Sequence, residues 1–170
     1  MKLLSALIFL FLTSCVGIPE GVEPVGNFEL ERYLGKWYEI ARLDHSFERG
    51  LSQVSANYSM RSDGGVKVIN RGYSAENSRW KEAEGKAYFV ENTDLGYLKV
   101  SFFGPFYGAY IIFELDHENY QYSLVSGPDK SYLWILSRSP KIDENTKSIF
   151  IKKAAELGFD TNELIYVNHE

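Results

Sequence analysis

From residue 37 to residue 138 the chain runs in short stretches of seven or eight residues in which apolar and polar side chains alternate. Each stretch is closed by a cluster of Gly, Pro, Asn or Asp. Alternation with period two marks a strand with one buried face, and such clusters mark turns. The pattern predicts strands at 37–43, 53–60, 66–73, 84–90, 97–103, 109–115, 120–126 and 132–138. Asp63-Gly64-Gly65 is a strong hairpin turn, because Gly accepts the positive φ that such turns need. Asn92-Thr93-Asp94, Asp116–Asn119 and Gly127–Lys130 mark three more turns. Eight consecutive strands without intervening helices predict an all-β fold, an eight-stranded antiparallel up-and-down barrel, which removes sheet edges by closing on itself.

The period then changes. Across Ile142–Leu157, Phe150, Ala154 and Leu157 recur on one helical face, with Asp143 as N-cap, Lys152 and Lys153 in the last turn and Gly158 as stop. This predicts one C-terminal amphipathic helix covering an apolar patch outside the sheet, followed by a short ninth strand at Leu164–Val167.

At the other terminus Lys2 precedes a nearly continuous apolar run, Leu3–Leu12, which ends in Leu12-Thr13-Ser14-Cys15. About ten apolar residues suit a signal-peptide core, whereas a bilayer-spanning helix takes about 20. The Leu-small-small-Cys sequence resembles the bacterial lipobox, in which the Cys sulfur receives a diacylglycerol and becomes the mature N-terminus. Cys15, the chain's single cysteine, is therefore the expected lipidation site. The expected divisions are a signal peptide at 1–14, a lipid-anchored flexible tether at 15–26 rich in Gly and Pro, and a barrel domain at 27–170. The residue after Cys15 is Val16 and not Asp, which the resemblance associates with the outer membrane, lipid-anchored on its periplasmic face.

Composition narrows the partners. The chain has 18 Lys+Arg, one of them Lys2, against 23 Asp+Glu. This mild acidity without a basic cluster argues against nucleic acid and against electrostatic adhesion to anionic lipid. The 26 aromatic residues (12 Tyr, 11 Phe and 3 Trp) suit a β domain with broad apolar surfaces.

Arg32–Arg42 (RYLGKWYEIAR) resembles the signature of the lipocalin family, a Gly-x-Trp at the start of the first strand. Leu133–Arg138 (LWILSR) resembles its other hallmark, an Arg ending the eighth strand. The resemblance implies that Arg138 packs on Trp37 as a structural clamp between the first and last strands, a cation–π contact worth about 0.5–2 kcal/mol. The family's Thr-Asp-Tyr-like turn between strands six and seven is altered to Glu114–His117, where only Asp116 matches. Ile40–His45 and Ser101–Gly108 are closer to one subgroup, the bacterial outer-membrane lipoprotein lipocalins related to apolipoprotein D.

The fold so implied holds one small ligand. Alternation from Trp37 and Arg138 places Glu39 and Ala41 inward in the first strand and Leu136, Trp134 and Tyr132 in the last. Elsewhere the inward set is Val54, Ala56 and Tyr58; Val66, Val68 and Asn70; Ala87 and Phe89; Leu98, Val100 and Phe102; Ile111 and Phe113. Tyr58, Phe89, Phe102, Tyr107, Phe113, Tyr132 and Trp134 are the candidate ligand contacts, with core filling as the competing role. An apolar lining rewards an acyl chain at about 0.8 kcal/mol per buried CH₂. The expected ligand is a fatty acid or lysophospholipid, its head left near water because no buried Lys or Arg suggests itself inside. The aromatic segment Phe102–Tyr107 is open to three uses: core or ligand contact, membrane contact, or pairing into a homodimer.

Catalysis finds little support. His45, His117 and His169 lack metal-ligand spacing, no Gly-x-Ser-x-Gly is present, and no thiol remains once Cys15 is acylated. Asp44-His45 mimics a dyad but reads more simply as a solvated loop pair. Glu39 reads as a lone inward carboxyl, hydrogen-bonded to Asn70 or a Tyr. No catalytic residue, metal or cofactor is expected. A non-ligand-binding scaffold of the envelope is the alternative to a lipid binder.

Overall fold

The computed structural model describes residues 16–170, so the expected signal peptide at 1–14 and the expected lipidation site Cys15 lie outside the described residues. A short helix, α1 (Leu30–Tyr33), leads into β1 (Gly35–Arg42), β2 (Leu51–Met60), β3 (Val66–Ser74), β4 (Arg79–Phe89), β5 (Tyr97–Ser101), β6 (Gly108–Leu115), β7 (Tyr122–Ser126) and β8 (Leu133–Ser137). Helix α2 (Glu144–Glu156) and β9 (Ile165–Tyr166) follow. The Asp143 carboxylate caps α2 by accepting from the Thr146 amide at 2.9 Å.

Each strand pairs antiparallel with the next, and β1 pairs with both β8 and β2, which closes an eight-stranded barrel. The β1–β2 pairing covers only Gly35–Tyr38. Above it β9 takes over, pairing with Ala41 and Arg42, and the Gln53 amide donates to the Asn168 carbonyl at 2.7 Å. The ninth strand thus fills the gap where β1 and β2 part. β4 begins five residues earlier than its sequence pattern predicts, because exposed Arg79–Glu84 extend the β3–β4 hairpin with both faces in solvent.

Two apolar cores result. One lies outside the wall, where Ala41, Ala109, Ile111, Phe113, Leu124 and Ile135 meet Phe150 and Ala154 of α2. The other lines the lumen with Trp37, Tyr58, Val66, Val68, Ala87, Leu98, Ile112, Val125 and Leu136. The segment expected as a flexible tether lies against this wall, touching it at Val16 and again from Val22 onward. Val22 is buried in the outer core, the Val25 amide donates to Ile112 O at 2.9 Å, and the Phe28 amide donates to Asp94 O at 2.8 Å.

Candidate functional site

The lumen has a closed end and a mouth, set by which loops lie where. In an up-and-down barrel alternate hairpins share an end, so residues 43–50, 75–78, 102–107 and 127–132 form the mouth, opposite α1.

At the closed end Trp37 is fully buried and its indole N–H donates to Tyr33 O at 2.8 Å. The Arg138 guanidinium lies 4.0 Å from the Trp37 ring centroid. It donates to three carbonyls, Arg32 O at 2.7 Å, Lys36 O at 2.9 Å and Tyr120 O at 3.2 Å. Each contact ties α1 or the β6–β7 connection to the ends of β1 and β8, so one side chain joins four pieces of chain. Above this plug the Tyr110 hydroxyl sits 2.8 Å from both the Tyr33 and the Tyr58 hydroxyls. Burial pushes the Tyr33 phenol up to about 12, and it raises Tyr58 and Tyr110 as well.

The mouth is built differently. A bulge in β1 between Glu39 and Ala41 turns both Ile40 and Ala41 outward. Arg42 therefore points inward, 1% exposed. It donates to Glu39 Oε1 at 2.6 Å and to the carbonyls of Glu48 at 3.0 Å and Leu51 at 3.3 Å. The 43–50 loop folds over this pair. His45 Nε2 lies 3.0 Å from Glu48 Oε2, which also accepts from the Trp134 indole at 3.1 Å. The His45 ring stacks on Phe47 at 4.0 Å and on Tyr132 at 5.9 Å, with Trp134 at 5.1 Å. Burial, reinforced by nearby Glu48, holds the Glu39 carboxyl well above the usual carboxylate range despite Arg42. Burial also pushes Glu48 up, but His45, the Trp134 indole and Arg42 outweigh it and leave Glu48 below its ordinary value. Arg42 Nε and His45 Nδ1 are buried without a hydrogen-bond partner.

The sequence-predicted contacts separate in this frame. Phe102, Tyr132 and Trp134 lie toward the mouth, and the Phe102 ring presses on the wall where a Cβ on Gly85 would meet it at 2.8 Å. Tyr58 faces the lumen, yet deep, in the hydroxyl chain of the closed end rather than near the mouth. Phe89 packs 6.1 Å from Phe28 in the same plug. Phe113 is a correction: it lies outside the barrel, stacked at 5.6 Å on Phe159. The inward residues of β6 are Tyr110 and Ile112, because the drier face of that strand is the one under α2. Tyr107 is a second correction. Its ring lies on the outer wall, 6.4 Å from Tyr88 with the Lys99 ammonium at 5.3 Å. Ala41 is outward and so leaves no room in the lumen.

The expectation of no buried cation also fails, at Arg42, and Glu39 is paired with it rather than with Asn70 or a Tyr. Asp44 is exposed and bonded to Arg49 at 2.7 Å, while His45 is buried, so the two do not form a solvated pair. A signal for Arg42 was present in Ile40-Ala41, two apolar neighbours in a strand that is covered on both faces. Among the described residues no cluster of three or more His, Cys, Asp or Glu could hold a metal, and no helix is long and apolar enough to cross a membrane.

A family model described as a lipocalin-like domain matches residues 28–169. The chain is 64% identical over 159 residues to the outer membrane lipoprotein Blc of Vibrio cholerae, covering 94% of this chain and 93% of that one. It is 54% identical to the protein of that name in Escherichia coli K12, covering 88% and 84%. Apolipoprotein D of Macaca fascicularis is 36% identical, covering 86% and 82%. In fold the chain matches insecticyanin from the tobacco hornworm Manduca sexta with a TM-score of 0.71, at 23% identity, over 91% and 87% of the two chains. The plug at the closed end, the barrel above it and these relatives agree: the chain belongs to the lipocalin family, in its bacterial outer-membrane lipoprotein subgroup related to apolipoprotein D.

Proposed function

We propose that the protein is a lipid-anchored carrier or store of fatty acids or lysophospholipids, acting on the periplasmic face of the outer membrane in envelope maintenance. The anchor is a diacylglycerol on Cys15. The observation that carries the proposal is a lumen lined by Val66, Val68, Ala87, Leu98, Val100 and Phe102 and stoppered at one end by Trp37 and Arg138. Such a lining takes an alkyl chain and offers nothing for bond-making. The protein therefore binds and does not catalyse. Each CH₂ moved from water into it contributes about 0.8 kcal/mol. The ligand's head stays at the mouth beside Tyr132, Trp134 and the 43–50 loop, because Glu39 and Glu48 already face the single guanidinium there. An anionic head driven deeper would meet those carboxyls with Arg42 already engaged.

One observation favours the scaffold alternative: the His45, Phe47, Tyr132 and Trp134 rings pack against one another at the mouth. Native mass spectrometry of residues 16–170, with and without a lysophospholipid and a fatty acid, separates the two. A one-to-one adduct that displaces a fluorescent fatty acid supports the carrier, and its absence on folded protein supports the scaffold.

A further inference from the structure

Residues 95–113 carry one charged side chain, Lys99, in a chain in which 24% of residues are charged. They include β5, the tip of the hairpin and β6 as far as Phe113. The tip presents Phe103, 78% exposed, and Phe106, 67% exposed. The Phe106 amide donates to Phe103 O at 3.1 Å, so one tight turn displays both rings. Phe47, 54% exposed, stands at the same end of the barrel. Behind the tip, on the outer wall, come the Tyr107 and Tyr88 rings and the Lys99 ammonium. Phe outermost with Tyr and Lys behind is the order side chains take across a lipid–water interface. The one carboxylate in these two strands, Glu114, lies at the end of β6 away from the tip and is paired with Lys153 of α2.

The first described residue, Val16, lies on the same hairpin. The Tyr97 hydroxyl donates to the carbonyl of Val16, the residue that follows Cys15. Tyr97 opens β5, and a five-residue strand rises only about 13 Å. With Cys15 acylated as proposed above, the bilayer is already beside this part of the wall.

We propose that the β5–β6 tip is a membrane-contact site: Phe103 and Phe106 enter the interface of a phospholipid bilayer, with Tyr107 and Lys99 at head-group level. The barrel then stands with its mouth toward the lipid surface. This contact does not depend on what the lumen holds.

The test uses the full lipidated chain in vesicles of phosphatidylethanolamine and phosphatidylglycerol, with and without brominated acyl chains. Phe106→Trp adds an emitter at the tip, and Glu76→Trp adds one on the β3–β4 mouth loop as a control. Insertion predicts a blue shift of the Phe106→Trp emission on vesicles and loss of about half the added intensity to brominated chains, with neither change for Glu76→Trp. Added emission that brominated chains leave intact overturns the proposal. A blue shift already present without vesicles, rising with protein concentration and unquenched by bromine, also overturns it and assigns the tip to a second copy of the chain. The mass of the N-terminal peptide, measured in parallel, reports acylation of Cys15. A failed anchor is thereby told apart from a failed tip.

Discussion

The two ends of the barrel each gather polar groups around one guanidinium, half-buried Arg138 at the closed end and fully buried Arg42 at the mouth, and satisfy them differently. At the closed end all three guanidinium nitrogens of Arg138 donate to carbonyls, and the buried tyrosine hydroxyls bond to one another. At the mouth Arg42 and His45 each keep a buried nitrogen unpaired, and of the two buried carboxyls only Glu39 bonds to the guanidinium, Glu48 lying against His45 and the Trp134 indole. A fully satisfied network rigidifies and fixes one geometry, and a buried polar group left unpaired is costly. The plug is therefore the more tightly determined end, and the mouth carries the unmet donors.

Breaking the plug has the largest expected effect. Trp37→Ala removes a fully buried ring and the floor under Arg138, a loss of about 3–5 kcal/mol in unfolding free energy, read as a lower Tm. An unaltered melting curve removes the clamp from the structure's support. Alkaline titration comes next. The Tyr33 phenol holds its proton more tightly folded, at about 12, than unfolded, near 10. Its contribution is therefore fully present below pH 10 and lost as pH rises through about 12, a fall on the order of 2–3 kcal/mol in a urea midpoint series. In Tyr33→Phe that part of the fall disappears, and phenolate absorbance in the wild type should lag behind that of exposed tyrosines.

The mouth gives smaller and different effects. Trp134→Ala should weaken lipid affinity by about tenfold with little change in Tm, since it removes part of the lumen wall and leaves the plug intact. Equal affinity removes Trp134 from the site. Glu39→Gln is the smallest. Glu39 is raised in the folded state, so its own contribution falls as pH rises through its folded value, whereas lowered Glu48 contributes above its unfolded value and loses that as pH falls. The two oppose each other, and Glu39→Gln, which keeps an acceptor for Arg42, should shift Tm by less than about 1 kcal/mol equivalent. A large loss would show that the charge on Glu39 holds the mouth together.

Much of the barrel was legible because alternation is a strong signal wherever one face is wet. Val66 and Val68, and Leu98, Val100 and Phe102, face the lumen as their period says. The pattern misleads where both faces are dry. In β6 the outward Ala109, Ile111 and Phe113 lie under α2 and read as more apolar than the inward Tyr110, so the phase inverts. In β1 a bulge moves Arg42 from the solvent side to the lumen, and its one mark in the sequence is the adjacent apolar pair Ile40-Ala41. His45 and Glu48 sit in a loop with no period at all, and only the fold brings them to Trp134. Motif residues such as Trp37 and Arg138, 101 positions apart, were legible only through resemblance.

The plug has a kinetic consequence. A vessel with one opening exchanges its contents and does not conduct them, so whatever enters must leave by the same door. Arrival and departure then cross one barrier, at the mouth, where residues 43–50 lie. A change in that loop that touches no ligand and alters the free and loaded states equally must speed or slow both directions by the same factor. Residence time can thus be tuned by evolution or design at such positions without altering the equilibrium constant, which is set by the groups that touch the ligand.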